Sequence, residues 1–211
     1  MTPNDGKARE RAQWDERFKG EDYWFGIEPN AFLAAQRHRL KPGQKALAIA
    51  DGEGRNGVWL ASQGLAVTSV DLSPEGVAKA KRLAARQGVA IETICADIEI
   101  WDWGVPRFDV VVGIFIQFAP PSFRELVFRR MVDVLNPGGL LLLEGYRPEQ
   151  LAFGTGGPRE VENLYTADLL RAAFVDLDIL DLAEYDAELH EGTRHHGMSA
   201  LIDLVARKPP R

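Results

Sequence analysis

The sequence predicts an α/β fold, an open, doubly wound and mostly parallel sheet with helices on both faces. Three observations predict it. Short apolar runs alternate with amphipathic helical patterns along most of the 211 residues, the pattern of repeated β-α-β units with right-handed crossovers. Three runs, KALAIA at 45–50, FDVVVGIF at 108–115 and LLLLEG at 140–145, are almost wholly apolar, as strands covered on both faces are. The stretch AIADGEGRNG at 48–57 sets a glycine-rich turn between apolar runs, where such a sheet passes from its first strand into a helix.

The elements follow in order. Ala8 to Lys19 and Pro29 to Leu40 read as two N-terminal helices, the second with Pro29 suited to its first turn and ended near Lys41-Pro42-Gly43. Lys45 to Ala50 is the first strand and Arg55 to Gln63 a helix. Leu65 to Asp71 is the second strand, and Ser73-Pro74 caps and starts a helix that runs to Gln87 and ends at Gly88. Val89 to Ala96 and Phe108 to Phe115 are the third and fourth strands. Ser122 to Leu135 is a helix stopped by Asn136-Pro137-Gly138-Gly139, and Leu140 to Gly145 is the fifth strand. A short helix from Thr166 to Ala173 precedes two last strands, Val175 to Tyr185 and Met198 to Arg207.

Composition narrows the function. At this length, with 45% hydrophobic residues, one domain with one sizeable core is expected. Lys plus Arg number 25 against 31 for Asp plus Glu, a net charge of −6. With no basic block in the chain, nucleic-acid partners are not expected. No apolar stretch reaches a membrane span, and the polar start MTPNDGKARERAQWDERF lacks a signal-peptide core. The expectation is a soluble, cytoplasmic protein. The single cysteine, Cys95, excludes an internal disulfide and a cysteine-cluster metal site; its apolar setting, AIETICA, predicts a buried structural residue.

Ligands of doubly wound sheets bind beyond the carboxyl ends of the strands. The first strand ends in Ala50-Asp51-Gly52-Glu53-Gly54, where backbone N–H groups open toward an anionic moiety. The second ends in Asp71, about 20 residues on, the spacing of a ribose-binding carboxylate. The third ends in Asp97-Ile98, placed for an adenine amino group, and the fourth in an apolar rim that includes Ile114, Phe115 and Phe118. Singly, each is as well explained as a turn, a cap or a strand terminus. Together they describe an adenosine site beside a turn for a second, charged moiety.

Gly52-Glu53-Gly54-Arg55-Asn56-Gly57 also matches G-x-G-x-x-G, so an NAD(P)-dependent oxidoreductase stays in view. None of Tyr23, Tyr146, Tyr165 and Tyr185, however, is followed four residues later by the lysine of small reductases. The strings WDERF, YWFGIEPNAFL, ADGEGRNGVWLA, VTSVDLSPEGVAKA, CAD, LNPGGLLLLEGY, EQLAFGTGGP and the closing EG-x2-H-x-G resemble class I S-adenosylmethionine-dependent methyltransferases, and among them the small bacterial TehB-like enzymes. The resemblance covers nearly the whole chain. It implies a Rossmann-like sheet of seven strands with the last antiparallel, in a single domain whose residues 1–42 form an N-terminal helical lid and whose residues 43–211 form the core.

It also implies S-adenosyl-L-methionine as cofactor and S-adenosyl-L-homocysteine as product. Ala50, Asp51, Gly52, Gly54 and Asn56 would hold the methionyl part, Asp71 and Leu72 the ribose, Asp97 and Ile98 the adenine, with Ile114 against the ring. The family's acidic residue within the first strand and its G-x-G-x-G are replaced here by Ala48 and Ala50, which leaves Asp51 to supply the acid. Methyl transfer depends mainly on positioning and on water exclusion. Tyr23 and Trp24, in Tyr23-Trp24-Phe25-Gly26, are expected either to cover the sulfonium as a lid or to pin the N-terminal helices to the sheet. Arg147, Arg159 and the cluster Glu188, His190, Glu191, Arg194, His195, His196 supply polar groups in late loops, with an exposed loop preferred to a metal site. His195, at the EG-x2-H-x-G position, is the catalytic candidate, since its ordinary pKa suits holding or deprotonating a nucleophile. The expected reaction is methyl transfer to a small soluble nucleophile, a thiol, a chalcogen oxyanion or a xenobiotic. The alternatives are a non-catalytic cofactor-binding protein or an oxidoreductase. The sequence does not specify the acceptor or the oligomeric state.

Overall fold

A computed structural model describes residues 3–105, 107–193 and 195–210. The helices are α1 Pro3–Phe18, α2 Ala31–Ala35, α3 Arg55–Ser62, α4 Pro74–Gln87, α5 Pro121–Asp133, α6 Gln150–Phe153 and α7 Ala167–Ala173. The strands are β1 Lys45–Ile49, β2 Ala66–Asp71, β3 Glu92–Cys95, β4 Phe108–Ile114, β5 Leu135–Tyr146, β6 Asp178–Glu191 and β7 His195–Arg207. They form one sheet in the order β3-β2-β1-β4-β5-β7-β6. The first five strands pair in parallel, and β7 runs antiparallel to both β5 and β6. This is the expected mixed sheet with its antiparallel last strand. Among the described residues no helix is long and apolar enough to cross a membrane.

Successive strand residues point to opposite faces, and this alternation builds two cores. Leu47, Val111 and Leu141 face α5 and α7, packing with Phe128, Met131 and Tyr165. Their neighbours Ala46, Val110, Val112 and Leu142 face the other way and pack with Leu33 of α2 and Leu60 of α3. Apolar runs in the central strands are thus what a sheet covered on both sides requires.

Local chemistry sets most helix ends. Ser73 Oγ accepts from the Gly76 N–H at 3.1 Å, Pro74 opens α4, and Gly88 closes it at φ +68°. At the second helix the structure departs from expectation. Asn30 is the cap, its Oδ1 accepting from the Leu33 N–H at 2.9 Å, so Pro29 stays outside. Only five residues are α-helical before a 3₁₀ turn, Gln36–Arg39.

Three further expectations are corrected. The helix read to Leu135 stops at Asp133, and β5 already starts at Leu135. Phe108 pairs with Leu135 and Val110 with Leu140, so Asn136–Gly139 is accommodated by a register shift beside Asp109. Asn136 Nδ2 donates to Asp109 Oδ1 there at 2.9 Å. Cys95 is exposed rather than buried, because β3 is a four-residue strand at the edge of the sheet. The residues read as a loop between the last strands form a hairpin paired from Asp178↔Arg207 to Glu191↔His195. Its outer half alternates charged and apolar residues because one face is solvated, which weakened the strand signal.

Gly54, at φ +88°, shows how tightly the glycine turn is held: a Cβ there would stand 2.5 Å from Ala80 Cβ on α4. Gly54→Ala combines left-handed strain with overpacking, and a loss of about 2–4 kcal/mol is expected. Chemical denaturation of the variant beside the wild type measures it.

Candidate functional site

Strands β1, β2 and β4 end on the same side of the sheet, and each end is shaped for a ligand. Ala50 and Phe115, just past β1 and β4, are the non-glycine residues with positive φ among the described residues, at +47° and +54°. Strain of this kind costs on the order of 1–3 kcal/mol and gathers at functional sites. Between these ends and α1 lies a cleft of about 410 Å³. Ala50, Asp51, Gly52, Asn56, Asp71, Leu72, Asp97, Ile98, Ile114, Trp24 and His195 all line it. Gly54 and Tyr23 do not. Gly54 packs under Ala80, and the Tyr23 hydroxyl donates to the Lys79 carbonyl at 3.2 Å.

The two carboxylates at the first strand ends are buried and braced by the backbone. Asp71 accepts from the Gly52 N–H at 2.7 Å and the Ser73 N–H at 2.9 Å. Burial raises its pKa to about 6 against the pull of those amides. Asp51 accepts from the Gly57 N–H at 3.2 Å and the Ser69 hydroxyl at 2.8 Å, and burial raises it to about 7. Among the described residues neither has a cation within ion-pair distance. Two buried carboxylates without counter-ions suit a ligand that brings positive charge and hydroxyl donors, which S-adenosylmethionine does with its ammonium, sulfonium and ribose. Asp97 Oδ1 accepts from the Glu99 N–H at 2.9 Å and faces Lys7 Nζ at 3.8 Å.

The N-terminal segment is fixed over the cleft by charge. Glu53, 2% exposed, takes Lys79 Nζ at 2.7 Å and the Trp24 N–H at 2.7 Å. Lys79, itself fully buried, also donates to the Asp22 carbonyl at 2.5 Å. Breaking one side of such a pair typically costs 3–5 kcal/mol. On the opposite flank the Thr193 N–H donates to the Trp24 carbonyl at 3.0 Å. Farther back, Asp15 accepts from the Ser73 hydroxyl and the Phe18 ring lies against Gly52. Tyr23 therefore contributes to the pin, while Trp24 and Phe25 reach the cleft.

His195 sits at the other end. Strand alternation turns His195 inward and His196 outward; His190 is solvent-facing, 5.2 Å from the His196 ring. The exposed loop expected for this cluster is thus corrected for His195, whose side chain is 13% exposed. Arg194 lies outside the described residues. The His195 ring stands 4.3 Å from Phe115 and 4.6 Å from Phe25, centroid to centroid. Its Nδ1 faces Glu191 Oε2 at 3.8 Å. Burial, aided by Arg55, lowers its pKa against the pull of Glu191, so the ring is neutral near pH 7.

Glu191 ties this end together. It receives Arg55 Nη2 at 2.6 Å, Asn30 Nδ2 at 3.0 Å and the Ala31 N–H at 3.0 Å. Burial alone would raise its carboxyl, but His195, Arg55 and the Ala31 amide hold it at about 2. Asn30 also donates to Glu144, which burial and the neighbouring Asp203 and Glu191 keep protonated well above its ordinary range. Arg147, expected near the acceptor, pairs instead with Asp186.

Sequence reading missed Asn30, Arg55, Glu144 and Glu191 as members of one network, and Tyr146 as part of the cleft wall. Only the buried positions of Glu144 and Tyr146 at the end of an otherwise apolar strand carried a signal. It also missed Lys7, Trp14 and Phe18 of α1 as cleft walls. Among the described residues no group of three or more His, Cys, Asp or Glu side chains is arranged to hold a metal ion.

Residues 46–139 match the family described as a methyltransferase domain. The chain is 33% identical over 118 residues to a carboxy-S-adenosyl-L-methionine synthase of Geobacter metallireducens, covering 54% of this chain and 46% of the relative. It spans about half the length of the curated relatives it matches. Among solved structures it is similar to TehB from Haemophilus influenzae, with TM-score 0.70 and 18% identity over 94% of this chain and 67% of that one. It is also similar to the magnesium protoporphyrin IX methyltransferase of Synechocystis PCC 6803 with bound S-adenosylhomocysteine, with TM-score 0.70 and 14% identity over 96% and 99% of the two chains. At these identities the structural likeness establishes a shared fold.

Asp51 gives a pH test. Its folded pKa, about 7, exceeds the roughly 3.9 of a free aspartate. Its contribution to stability is therefore present in full below pH 4 and is lost as pH rises through 7. Asp51→Asn keeps an acceptor for Gly57 and Ser69 without the charge. Unfolding free energies of the two proteins should diverge in favour of the variant by about 3–4 kcal/mol between pH 4 and pH 8.

Proposed function

We propose that this chain, whose residues 46–139 match a methyltransferase domain, is a class I, S-adenosylmethionine-dependent enzyme that transfers a methyl group to a small soluble nucleophile. One observation carries the reading: a single cleft holds Ala50 to Gly52, Asp71 and Asp97 at one end and a neutral, enclosed histidine at the other. S-adenosylmethionine supplies a methyl group already activated on a sulfonium. The chain's work is to orient, to exclude water and to take a proton.

Each task has residues suited to it. Gly52 and the amide-braced Asp71 fit a ribose, and Asp97 with Ile98 fits the adenine edge. Asp51 lies where an ammonium group would stand, in place of the acid absent from the first strand. Trp24 and Phe25, clamped by Glu53, wall off water. With its Nδ1 turned toward Glu191, His195 offers Nε2 as the acceptor of the nucleophile's proton. Such positioned bases contribute about 10²- to 10⁴-fold. The cleft volume lies near the small end of the usual ligand range, so an acceptor sharing it with a nucleotide-sized cofactor is itself small. The acidic balance and lack of a basic patch favour a soluble acceptor over nucleic acid.

S-adenosylmethionine and S-adenosylhomocysteine at about 100 times their dissociation constants should raise the melting midpoint by roughly 5–10 °C, since such occupancy adds about 2.7 kcal/mol and each kcal/mol moves a domain of this size by about 2–4 °C. NAD should give no rise, and Asp71→Ala should abolish the shift; a rise with NAD alone would sink the reading. His195→Ala should retain the shift and lower turnover at least about 100-fold, as followed by S-adenosylhomocysteine release.

A further inference from the structure

Three buried polar atoms lie unpartnered at the His195 end of the cleft: Arg55 Nη1, the Tyr146 hydroxyl and His195 Nδ1. Their residues all line the cleft, and Arg55 and Tyr146 are 6% and 2% exposed. A buried donor without an acceptor is ordinarily destabilising, so its retention calls for an explanation. Arg55 is held in place from one side only. Its Nη2 is tied to Glu191 at 2.6 Å, which leaves the Nη1 edge of the guanidinium free. Tyr146 is stacked on Phe115 with centroids 4.6 Å apart; burial, then Glu144 and Glu191, push the pKa of its hydroxyl up and keep it a donor, with Arg55 pulling the other way. The His195 ring stands 6.0 Å from the Tyr146 ring.

Resting on the methyl-transfer reading, we infer that this end of the cleft recognises an acceptor carrying a carboxylate beside a thiol, a small mercaptocarboxylic acid, with Arg55 Nη1 and the Tyr146 hydroxyl donating to the carboxylate. Guanidinium and phenol can both donate to an anionic oxygen pair, and the guanidinium, which has no acceptor, repels an ammonium group. The thiol follows from the base. A neutral histidine, enclosed here between Phe25 and Phe115, takes a proton far more readily from a thiol with pKa near 8.5 than from an alcohol. In the transfer His195 Nε2 takes the S–H proton, the sulfur forms its bond to the methyl carbon, and the carbon–sulfonium bond breaks with its electron pair left on the cofactor sulfur. The products are a methyl thioether, S-adenosylhomocysteine and a protonated histidine. That charge draws His195 Nδ1 toward Glu191, closing the 3.8 Å gap into the hydrogen bond the empty site lacks.

The test compares 3-mercaptopropionate, propanethiol and 2-mercaptoethylamine as acceptors, with S-adenosylhomocysteine binding measured separately. The expected result is a kcat/KM for 3-mercaptopropionate at least about tenfold above the other two, as a hydrogen-bonded charged group typically confers. Tyr146→Phe removes only a hydroxyl that has no partner in the fold; it should melt at or above the wild-type temperature and lose most of the preference. Arg55→Lys should raise KM for 3-mercaptopropionate more than it lowers kcat. Equal use of 3-mercaptopropionate and propanethiol, or an unchanged preference in a folded Tyr146→Phe, would overturn the carboxylate site while methyl transfer stands. No transfer to any of the three thiols by protein that binds S-adenosylhomocysteine also overturns it. Failure to bind S-adenosylhomocysteine would instead remove the methyl-transfer reading beneath it.

Discussion

The site depends on one buried carboxylate, Glu191 at the tip of the β6–β7 hairpin. Its two oxygens take donors from the cap of α2, from the first residue of that helix and from the first residue of α3, and face the histidine four residues on. Two early parts of the chain, each more than 100 residues before Glu191, thereby converge with the hairpin around His195. A carboxylate is suited to this role because it accepts several hydrogen bonds at once, and because leaving any of those donors unpaired in a dry interior is costly. The hairpin's length follows from the same requirement. Had β6 and β7 ended where the apolar pattern ends, neither Glu191 nor His195 would reach the strand ends of the central sheet.

The same economy governs the N-terminal segment. Glu53 belongs to the glycine turn, and its ion pair with Lys79 of α4 is the anchor to which the Trp24 and Phe25 amides attach. Lid and pin are consequently two aspects of one arrangement. Tyr23 packs back against α4, and its two successors wall the cleft. α1 extends the wall, with Lys7 near Asp97 at one end and Asp15 on Ser73 at the other.

Burial and backbone strain coincide at the ends of β1, β2 and β4. Asp51 and Asp71 are both pushed up by burial, toward 7 and 6, and Ala50 and Phe115 hold backbone angles that side chains disfavour. Stability is given up at these strand ends. The His195 end differs. There Glu191 is already compensated, and the unmatched atoms are donors. The two ends of one cleft thus differ in their electrostatics, with uncompensated carboxylates at one and unmatched donors at the other.

The sequence alone determined the alternation of strands and helices, the helix ends at Ser73 and Gly88, and the positions of Asp51, Asp71 and Asp97. These depend on local periodicity, on capping within a few residues and on the rule that ligands sit beyond the carboxyl ends of parallel strands. It also marked His195, through a motif rather than through any visible partner. Tertiary structure decided the rest. Cys95 is exposed because β3 became an edge, the short α2 follows from Asn30 serving as its cap, and the hairpin is defined by pairing across a turn that hydropathy does not show. Asn30, Arg55, Glu144 and Glu191 form a network only in three dimensions, because hydrogen bonds and ion pairs depend on distance in space, and the sequence separations here, up to 161 residues between Asn30 and Glu191, leave no periodic trace.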